Sequence, residues 1–221
     1  MKQKTFACFW MCVLTVILLP AIAQQTSNTD LDIQKSKINY DSLRIELEAM
    51  VDSDQGIRRI LVDSIGLDSP EAGKYINQMV AIDMQNRIEI ESILSKYGWI
   101  EQSKIGEKAA EGIFYIVQHS DLDFMERYFP QFKKLVAIGE ASATRCAQME
   151  DRLLMWKGKK QIYGTQASND IRPDKKMVIW PIENPSHVNE LRKKIGFTTT
   201  VEENAERLNA EYDPNEKLPA L

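Results

Sequence analysis

Several predicted helices have apolar faces that are interrupted by polar side chains, of types that can bind ligands or transfer protons. Asp54 and Arg58 stand four residues apart on a face whose preceding members, Leu43, Leu47 and Val51, are all apolar. In one interpretation they form an ordinary ion pair on a helix surface. Because a buried, unpaired carboxylate is strongly unfavourable, the other interpretation is that Asp54 faces a partner or a ligand inside the protein.

The next predicted helices repeat the pattern. Asp83 and Asn86 lie on an otherwise apolar helix face, and Gln118 and His119 end the helix that follows. A lone histidine at a helix end is more often structural, but histidine ionises nearest neutrality of all side chains. His119 is therefore the best candidate for a general acid or base, with Asp83 or Asp151 to orient its ring.

Asp151 and Arg152 are consecutive residues near the end of an apolar helix, so their side chains point apart and cannot pair with each other. Each therefore needs a partner elsewhere, and Asp54, Arg58 or His119 would supply complementary charge. Arg58 or Arg152 would also hold an anionic group of a ligand by two parallel hydrogen bonds.

A glycine-bounded segment, 158–166, then concentrates amide and aromatic side chains that are typical of a binding surface. The predicted binding residues are Asp54, Gln55, Arg58, Asn86, Gln118, Arg152, Gln161, Tyr163 and Gln166, and the candidates for catalysis are His119, Asp83 and Asp151.

The sequence contains no nucleophile elbow, zinc-protease helix motif, paired-cysteine motif or phosphate-binding glycine loop. His119, Asp121 and Asp123 are spaced closely enough for metal ligation, but Ser120 to Asp123 is also typical of a helix N-cap. We therefore predict no metal site and no cofactor. Cys146 is interpreted as a small buried apolar residue, not as a nucleophile.

Residues 1–23 have the pattern of a signal peptide. Lys2 and Lys4 precede an apolar run, and a small-x-small site ends at Ala23, so cleavage is predicted there. The product would be exported, periplasmic or secreted, without stable membrane insertion. Cys146 would be its only cysteine, which excludes an intramolecular disulfide. Loss of both lysines would change the formal net charge from −4 to −6, which argues against nucleic acid as a partner.

The helices that the apolar periodicity predicts must position these polar residues. Residues 24–37 are polar and predict a flexible leader, and 38–221 predict a single, mostly helical domain. We expect six to eight helices, one of which starts at Ser69-Pro70 and another at the capping-box pattern Thr200-x-x-Glu203. Gln161 to Thr165 and Met177 to Ile182 look extended and predict a small late β-hairpin. The predicted fold class is mainly α.

The order of these motifs resembles an exported or cytosolic bacterial domain of unknown function. The residues that carry the resemblance are Asp54-Gln55-x-x-Arg58, Asp83-x-x-Asn86, Tyr97-Gly98-Trp99, Gly106, Gln118-His119, Asp151-Arg152, Gly158-x-x-Gln161-x-Tyr163-Gly164-Thr165-Gln166 and Trp180-Pro181-Ile182. The resemblance covers 54–196. It implies that the polar positions converge on one shared site, and it assigns no activity.

Two functions remain open at this point. In the first, the protein is a helical binding or interaction module with a buried polar site for a small molecule or a protein. In the second, it is a cofactor-independent, hydrolase-like enzyme that uses His119 with aspartate and arginine partners. Because no nucleophile or metal set is evident, we favour binding.

Overall fold

Helices make up most of the protein in the computed structural model, which describes residues 38–219. This part of the chain has eight α-helices and a two-stranded antiparallel hairpin late in the sequence. The predicted fold class, mainly α with a small late hairpin, is confirmed. The predicted signal peptide (1–23) and leader (24–37) lie outside the described residues.

Six α-helices precede the hairpin and two follow it. The first six are α1 (Tyr40–Arg59), α2 (Ala72–Tyr97), α3 (Gln102–Ile105), α4 (Glu107–Gln118), α5 (Leu122–Ala137) and α6 (Ala143–Trp156), and a π-helical turn (Ile60–Ile65) extends α1. The later elements are β1 (Ala167–Ser168), β2 (Val178–Ile179), a 3-10 turn (Pro185–His187), α7 (Val188–Lys194) and α8 (Val201–Arg207).

Side-chain caps determine where several helices begin. The predicted capping box at α8 is confirmed, because Thr200 and Glu203 exchange side-chain to backbone hydrogen bonds. The predicted start of α2 at Ser69-Pro70 is wrong, and the helix begins at Ala72. The Ser69 hydroxyl accepts a hydrogen bond from the Glu71 N–H in the turn that precedes the helix.

The crossing of α1 and α4 brings two of the predicted motifs together. Among the described helices, α1 packs most extensively on α4. A side chain at Gly112 would meet Val51 Cγ2 at 2.7 Å and the Leu47 carbonyl oxygen at 2.9 Å, so only glycine allows this close approach. The close contact places Asp54, on the next turn of α1, beside His119 at the end of α4.

The hairpin differs from the predicted one in its first strand. Ala167 pairs with Ile179 and Ser168 with Val178, whereas Gln161 makes only an isolated bridge to Ile182. The prediction of a strand from Gln161 to Thr165 is therefore wrong. Backbone N–H groups of this segment donate to the Asp151 carboxylate instead of to a neighbouring strand, so the chain forms a turn there.

A second apolar cluster lies under the hairpin and the last two helices. Its buried members are Ile179, Ile182, Val188, Val201 and Ala205. Helix α2, in contrast, leaves Val80, Met84 and Ile88 exposed, and none of its residues between Ala72 and Asn86 is buried. None of the helices within residues 38–219 is both long enough and apolar enough to cross a bilayer.

Candidate functional site

Asp54, on α1, is the centre of a network that joins three helices. It is 1% exposed, and its Oδ1 lies 3.0 Å from Nδ1 of His119 and 2.9 Å from Nη1 of Arg58. The other terminal nitrogen of the Arg58 guanidinium group, Nη2, donates to both carboxylate oxygens of Asp83 on α2, at 2.9 and 2.8 Å. Arg58 thus bridges two carboxylates. The interpretation of Asp54 and Arg58 as an ordinary surface pair is wrong, because Asp54 is buried and faces its partners inside the protein.

The surroundings of Asp54 favour its ionised form. Burial alone would raise the pKa of this carboxyl, but the hydrogen bond and charge of His119, the charge of Arg58 and the Gln55 amide together hold the pKa below its ordinary value. Gln55 Nε2 donates to Oδ2 at 2.6 Å. His119 is therefore oriented by Asp54, and the prediction that Asp83 or Asp151 orients it is wrong.

Asp54, Asp83 and His119 are close enough to act as metal ligands, since one potential ligand atom of each lies within 4.8 Å of the others. Arg58, however, already donates to both carboxylates and supplies the positive charge between them. The closely spaced Asp121 has a different role, because its side chain caps α5 and pairs with Arg87. The geometry assigns these groups to an arginine-centred network.

Asp151 lies apart from this network and holds the turn that follows α6. The side chain is fully buried, and its oxygens accept hydrogen bonds from the backbone N–H groups of Ile162, Tyr163 and Thr165 and from the Thr165 hydroxyl. Burial raises the pKa of the carboxyl to about 6, although these donors act in the opposite direction. The prediction that Asp151 finds its partner among Asp54, Arg58 and His119 is therefore wrong.

Three further buried polar side chains fix the same turn. Gln161 Nε2 donates to the backbone oxygens of Gln166 and Trp180, and its Oε1 accepts from the Gln166 N–H. The carbonyls of Tyr163 and Gly164 accept from Arg192 and Asn204, respectively. A Cβ at Gly164, where φ is +66°, would come within 2.5 Å of a Val201 methyl carbon. Gln161 and Tyr163, predicted as binding residues, are thus structural supports of the turn.

A cavity of about 310 Å³ lies between α4, α6, the end of this turn and α8. Its basic lining residues are His119, Arg145, Arg152 and Arg207, and no aspartate or glutamate lines it. Phe114, Met177 and Leu208 form apolar parts of the wall. The size and the mixed lining are typical of sites for small organic molecules.

The three arginines of the cavity differ in how their charge is compensated. Arg145 donates to Glu111 at 2.6 Å and to the Tyr115 hydroxyl, so its charge is paired. Arg152 donates only to neutral groups, the Gln118 carbonyl oxygen at 3.0 Å and Gln166 Oε1 at 3.3 Å. Burial and the nearby charge of Arg58 lower the pKa of Arg152 to about 10. Within residues 38–219, Arg152 forms no ion pair with a carboxylate.

Two more groups of the cavity wall have unused hydrogen-bonding capacity. Gln118 is 5% exposed, and its Oε1 has no hydrogen-bond partner within the described part of the chain. His119 uses Nδ1 for Asp54, and its Nε2 makes no hydrogen bond to residues 38–219. The end of α4 therefore places Gln118 and the imidazole of His119 in the cavity wall beside the guanidinium of Arg152.

The structure divides the predicted site residues into three groups. Asp54, Gln55, Arg58 and Asp83 form the network behind His119, while Asn86 bonds to Ser53 at its edge. Gln118, His119, Arg152 and Gln166 line the cavity, and Asp151, Gln161 and Tyr163 build the turn. The expectation of one shared pocket is wrong for Asp151 and Gln161, since the polar side-chain groups of both are bonded to protein.

Sequence reasoning missed Arg145, Arg192, Asn204 and Arg207. Arg192 and Asn204 gave a detectable signal, because each lies on an otherwise apolar face, one turn from Val188 and from Val201, respectively. Arg145 and Arg207 gave no such signal, because both occupy helix positions where a solvent-exposed arginine is common. Only the packing of α6 and α8 around the cavity identifies them.

Cys146 is buried about one helical turn from Met149, and it is the only cysteine within residues 38–219. Desolvation raises the pKa of its thiol to about 11, so the reactive thiolate is disfavoured at neutral pH. This environment agrees with its interpretation as a small apolar residue.

Comparison with known proteins gives one match. A family model described as a family of unknown function (DUF6624) matches residues 41–215. The predicted resemblance to an uncharacterised domain is confirmed, and the match extends beyond the predicted 54–196 at both ends. Neither the curated proteins nor the solved structures include a match to the chain.

Proposed function

The chain belongs to this family of unknown function, and because membership assigns no activity, we propose from the geometry that the protein binds a small organic anion in the arginine-lined cavity. The observation that carries the proposal is Arg152, a partly buried guanidinium without a carboxylate partner among residues 38–219. A buried charge is strongly unfavourable unless it is paired, so an anionic ligand would complete the site.

The charge of the cavity is local and does not follow from the composition of the protein. The whole chain has a formal net charge of −4, yet the cavity wall has three arginines, one histidine and no acidic residue. Arg207 bonds only to the neutral Asn204 side chain, which leaves a second cationic group for the ligand. The apolar wall at Phe114 and Leu208 favours an organic anion over a fully hydrated ion.

Binding of succinate and of inorganic phosphate, measured by calorimetry at constant ionic strength, tests this proposal. Arg152→Met keeps the length of the side chain and removes its charge, so we expect the Kd of whichever anion binds to rise about tenfold to a hundredfold. Arg127→Met is the matched control, because Arg127 pairs with Glu91 on the surface outside the cavity. Equal affinity of wild type and R152M would overturn the proposal, as would the absence of binding of either anion to wild type.

One observation favours a second candidate, a hydrolase-like activity in the same cavity. Asp54 fixes Nδ1 of His119, and Nε2 remains available on the cavity side. In this geometry Nε2 accepts a proton from an attacking water molecule and returns it to the leaving group. The Asp54 carboxylate stabilises the imidazolium that exists between these two proton transfers.

Hydrolysis of p-nitrophenyl acetate and p-nitrophenyl phosphate tests this second candidate. We expect His119→Gln to lower kcat by about a hundredfold or more and to change anion affinity by less than about threefold. Release of p-nitrophenolate by wild type at the rate of H119Q would eliminate hydrolysis and leave binding as the function.

We also propose that the protein is exported to the periplasm or the medium after cleavage at Ala23. The support is the sequence pattern alone, a basic start followed by an apolar run and a small-x-small site. A site for organic anions outside the cytoplasm would meet ligands from the surroundings of the cell.

A further inference from the structure

Helix α2 has a row of exposed apolar side chains along one face. Ile76, Val80, Met84 and Ile88 follow one another at intervals of four residues, so they form a continuous ridge on the helix. Each of them is between 38% and 65% exposed. A contiguous apolar surface of this kind is uncommon on a monomeric protein and is typical of a surface that binds another protein.

Opposite charges lie at the two ends of this ridge. Lys74 precedes Ile76, whereas Glu89 and Glu91 follow Ile88. Within the described part of the chain, Lys74 contacts the ring of Tyr75 and forms no ion pair. A second copy of the helix that runs in the opposite direction would place unlike charges together at both ends, whereas a parallel copy would place like charges together.

We propose that two copies of this chain associate through α2 in an antiparallel arrangement. In this arrangement Ile76 packs against Ile88 of the partner subunit, and Val80 packs against Met84 of the partner subunit. The same alignment brings Lys74 beside Glu89 and Glu91 of the partner subunit. The charge pattern therefore commits the ridge to a second copy of the same helix.

The length of the ridge determines how strong this association is. From Ile76 to Ile88 the helix rises about 18 Å, so a contact one helix wide buries a few hundred Å² on each copy. A stable complex buries about 800 Å² on each partner, and we therefore expect a weak dimer with a Kd of about 10–100 µM.

Sedimentation equilibrium of the purified protein, from about 5 to 500 µM, tests the proposal. Met84→Glu puts a charge at the centre of the contact, so we expect the Kd of the dimer to rise about tenfold or more. Ile138→Glu is the matched control, because Ile138 is 68% exposed at the end of α5. Both positions are exposed, so thermal unfolding should show little change in either variant.

Two results would overturn the dimer. The first is a wild-type protein that stays monomeric at the highest concentration, as expected if residues 1–37 or a different protein cover the ridge. The second is a dimer that M84E leaves as stable as in wild type, because the contact would then lie on another surface. Anion binding is a separate property, since none of the four ridge residues lines the cavity.

Cysteine cross-linking tests the direction of the two helices. Ile76→Cys and Ile88→Cys, mixed and oxidised with oxidised glutathione, should form a disulfide between the two different variants. Each variant alone should form little, because its two cysteines would lie about 18 Å apart and a disulfide needs Cα atoms within about 7 Å. The native Cys146 is buried and does not compete. Cross-linking of each variant with itself at the rate of the mixture would overturn the antiparallel arrangement.

Reversal of one charge tests the contact at the ends of the ridge. Lys74→Glu would face two acidic side chains of the partner subunit, so we expect the Kd to rise about threefold to tenfold at low ionic strength and less in 0.5 M NaCl. Lys175→Glu, in the hairpin loop, makes the same change of net charge and is the control. An effect of K74E no larger than that of K175E would contradict the charge pairing.

Discussion

At the scale of single residues, the buried Asp54 explains why polar residues interrupt apolar helix faces in this protein. Its carboxylate receives hydrogen bonds or charge from Arg58, His119 and Gln55, and Arg58 extends the network to Asp83. Each of these groups would be unfavourable alone inside the protein and is compensated by the others. The same network fixes the ring of His119 at the cavity wall.

We expect Asp54→Asn to lower the free energy of unfolding by about 3–5 kcal/mol at pH 7, because it leaves Arg58 and His119 without their buried anionic partner. Urea denaturation measures the effect. Asp83→Asn is the matched control and should cost less, since Asp83 is 22% exposed and within residues 38–219 forms an ion pair with Arg58 only.

The pH dependence of this effect follows from the lowered pKa of Asp54. A carboxyl whose pKa is lower in the folded than in the unfolded protein stabilises the fold above its unfolded value, and this contribution is lost as pH falls through the folded value. The stability difference between wild type and D54N should therefore narrow below about pH 4. A difference that is constant from pH 7 to pH 3 would contradict an ionised Asp54.

At the scale of elements, the turn from Gln161 to Gln166 is positioned by α6, α7 and α8. Asp151 on α6 accepts its N–H groups, and Arg192 on α7 and Asn204 on α8 donate to its carbonyls. Backbone groups that would otherwise pair in a strand are thereby satisfied by side chains from three helices. The turn then places Thr165 and Gln166 in the cavity wall.

We expect Asp151→Asn to destabilise the protein by about 3 kcal/mol, because both carboxylate oxygens accept backbone N–H donors and an amide NH2 must face one set of them. Thermal unfolding at pH 7.5 measures the loss. Anion affinity should also fall, since the turn carries Gln166, which bonds to Arg152. Asp123→Asn, at an exposed position of α5, should leave both quantities unchanged; equal effects of the two variants would refute the anchoring role of Asp151.

At the scale of the whole molecule, the family match at 41–215 coincides closely with the described residues, and the predicted signal peptide precedes both. The proposed export signal and the proposed binding cavity therefore lie in separate parts of the chain. A protein that lacks disulfides must derive its stability from packing, and residues 38–219 contain Cys146 as their one cysteine.

We expect the full-length protein, produced in a bacterial host, to be recovered outside the cytoplasm with Gln24 as its first residue. Cell fractionation followed by mass spectrometry of the intact protein measures this. The double change Ala21→Lys and Ala23→Lys should block cleavage and leave the longer precursor with the cells. Cytoplasmic wild-type protein that retains residues 1–23 would refute export.

The mainly helical fold could be predicted from the sequence, because apolar periodicity, side-chain caps and terminating glycines are local signals. The same periodicity identified Asp54, Asp83 and Asn86 as polar residues on otherwise apolar helix faces. Local signals could not assign their partners, since Asp54 and His119 meet only where Gly112 lets α1 approach α4 closely.

Tertiary structure alone decided which polar residues face a ligand and which face protein. Asp151 and Arg152 are adjacent in the sequence, yet one is enclosed by backbone donors and the other lines the cavity, because consecutive helix residues point about 100° apart. The cavity also depends on Arg145 and Arg207, which come from helices far apart in the chain. The sequence determined that buried polar groups exist, and the packing of helices determined that some of them remain free for a ligand.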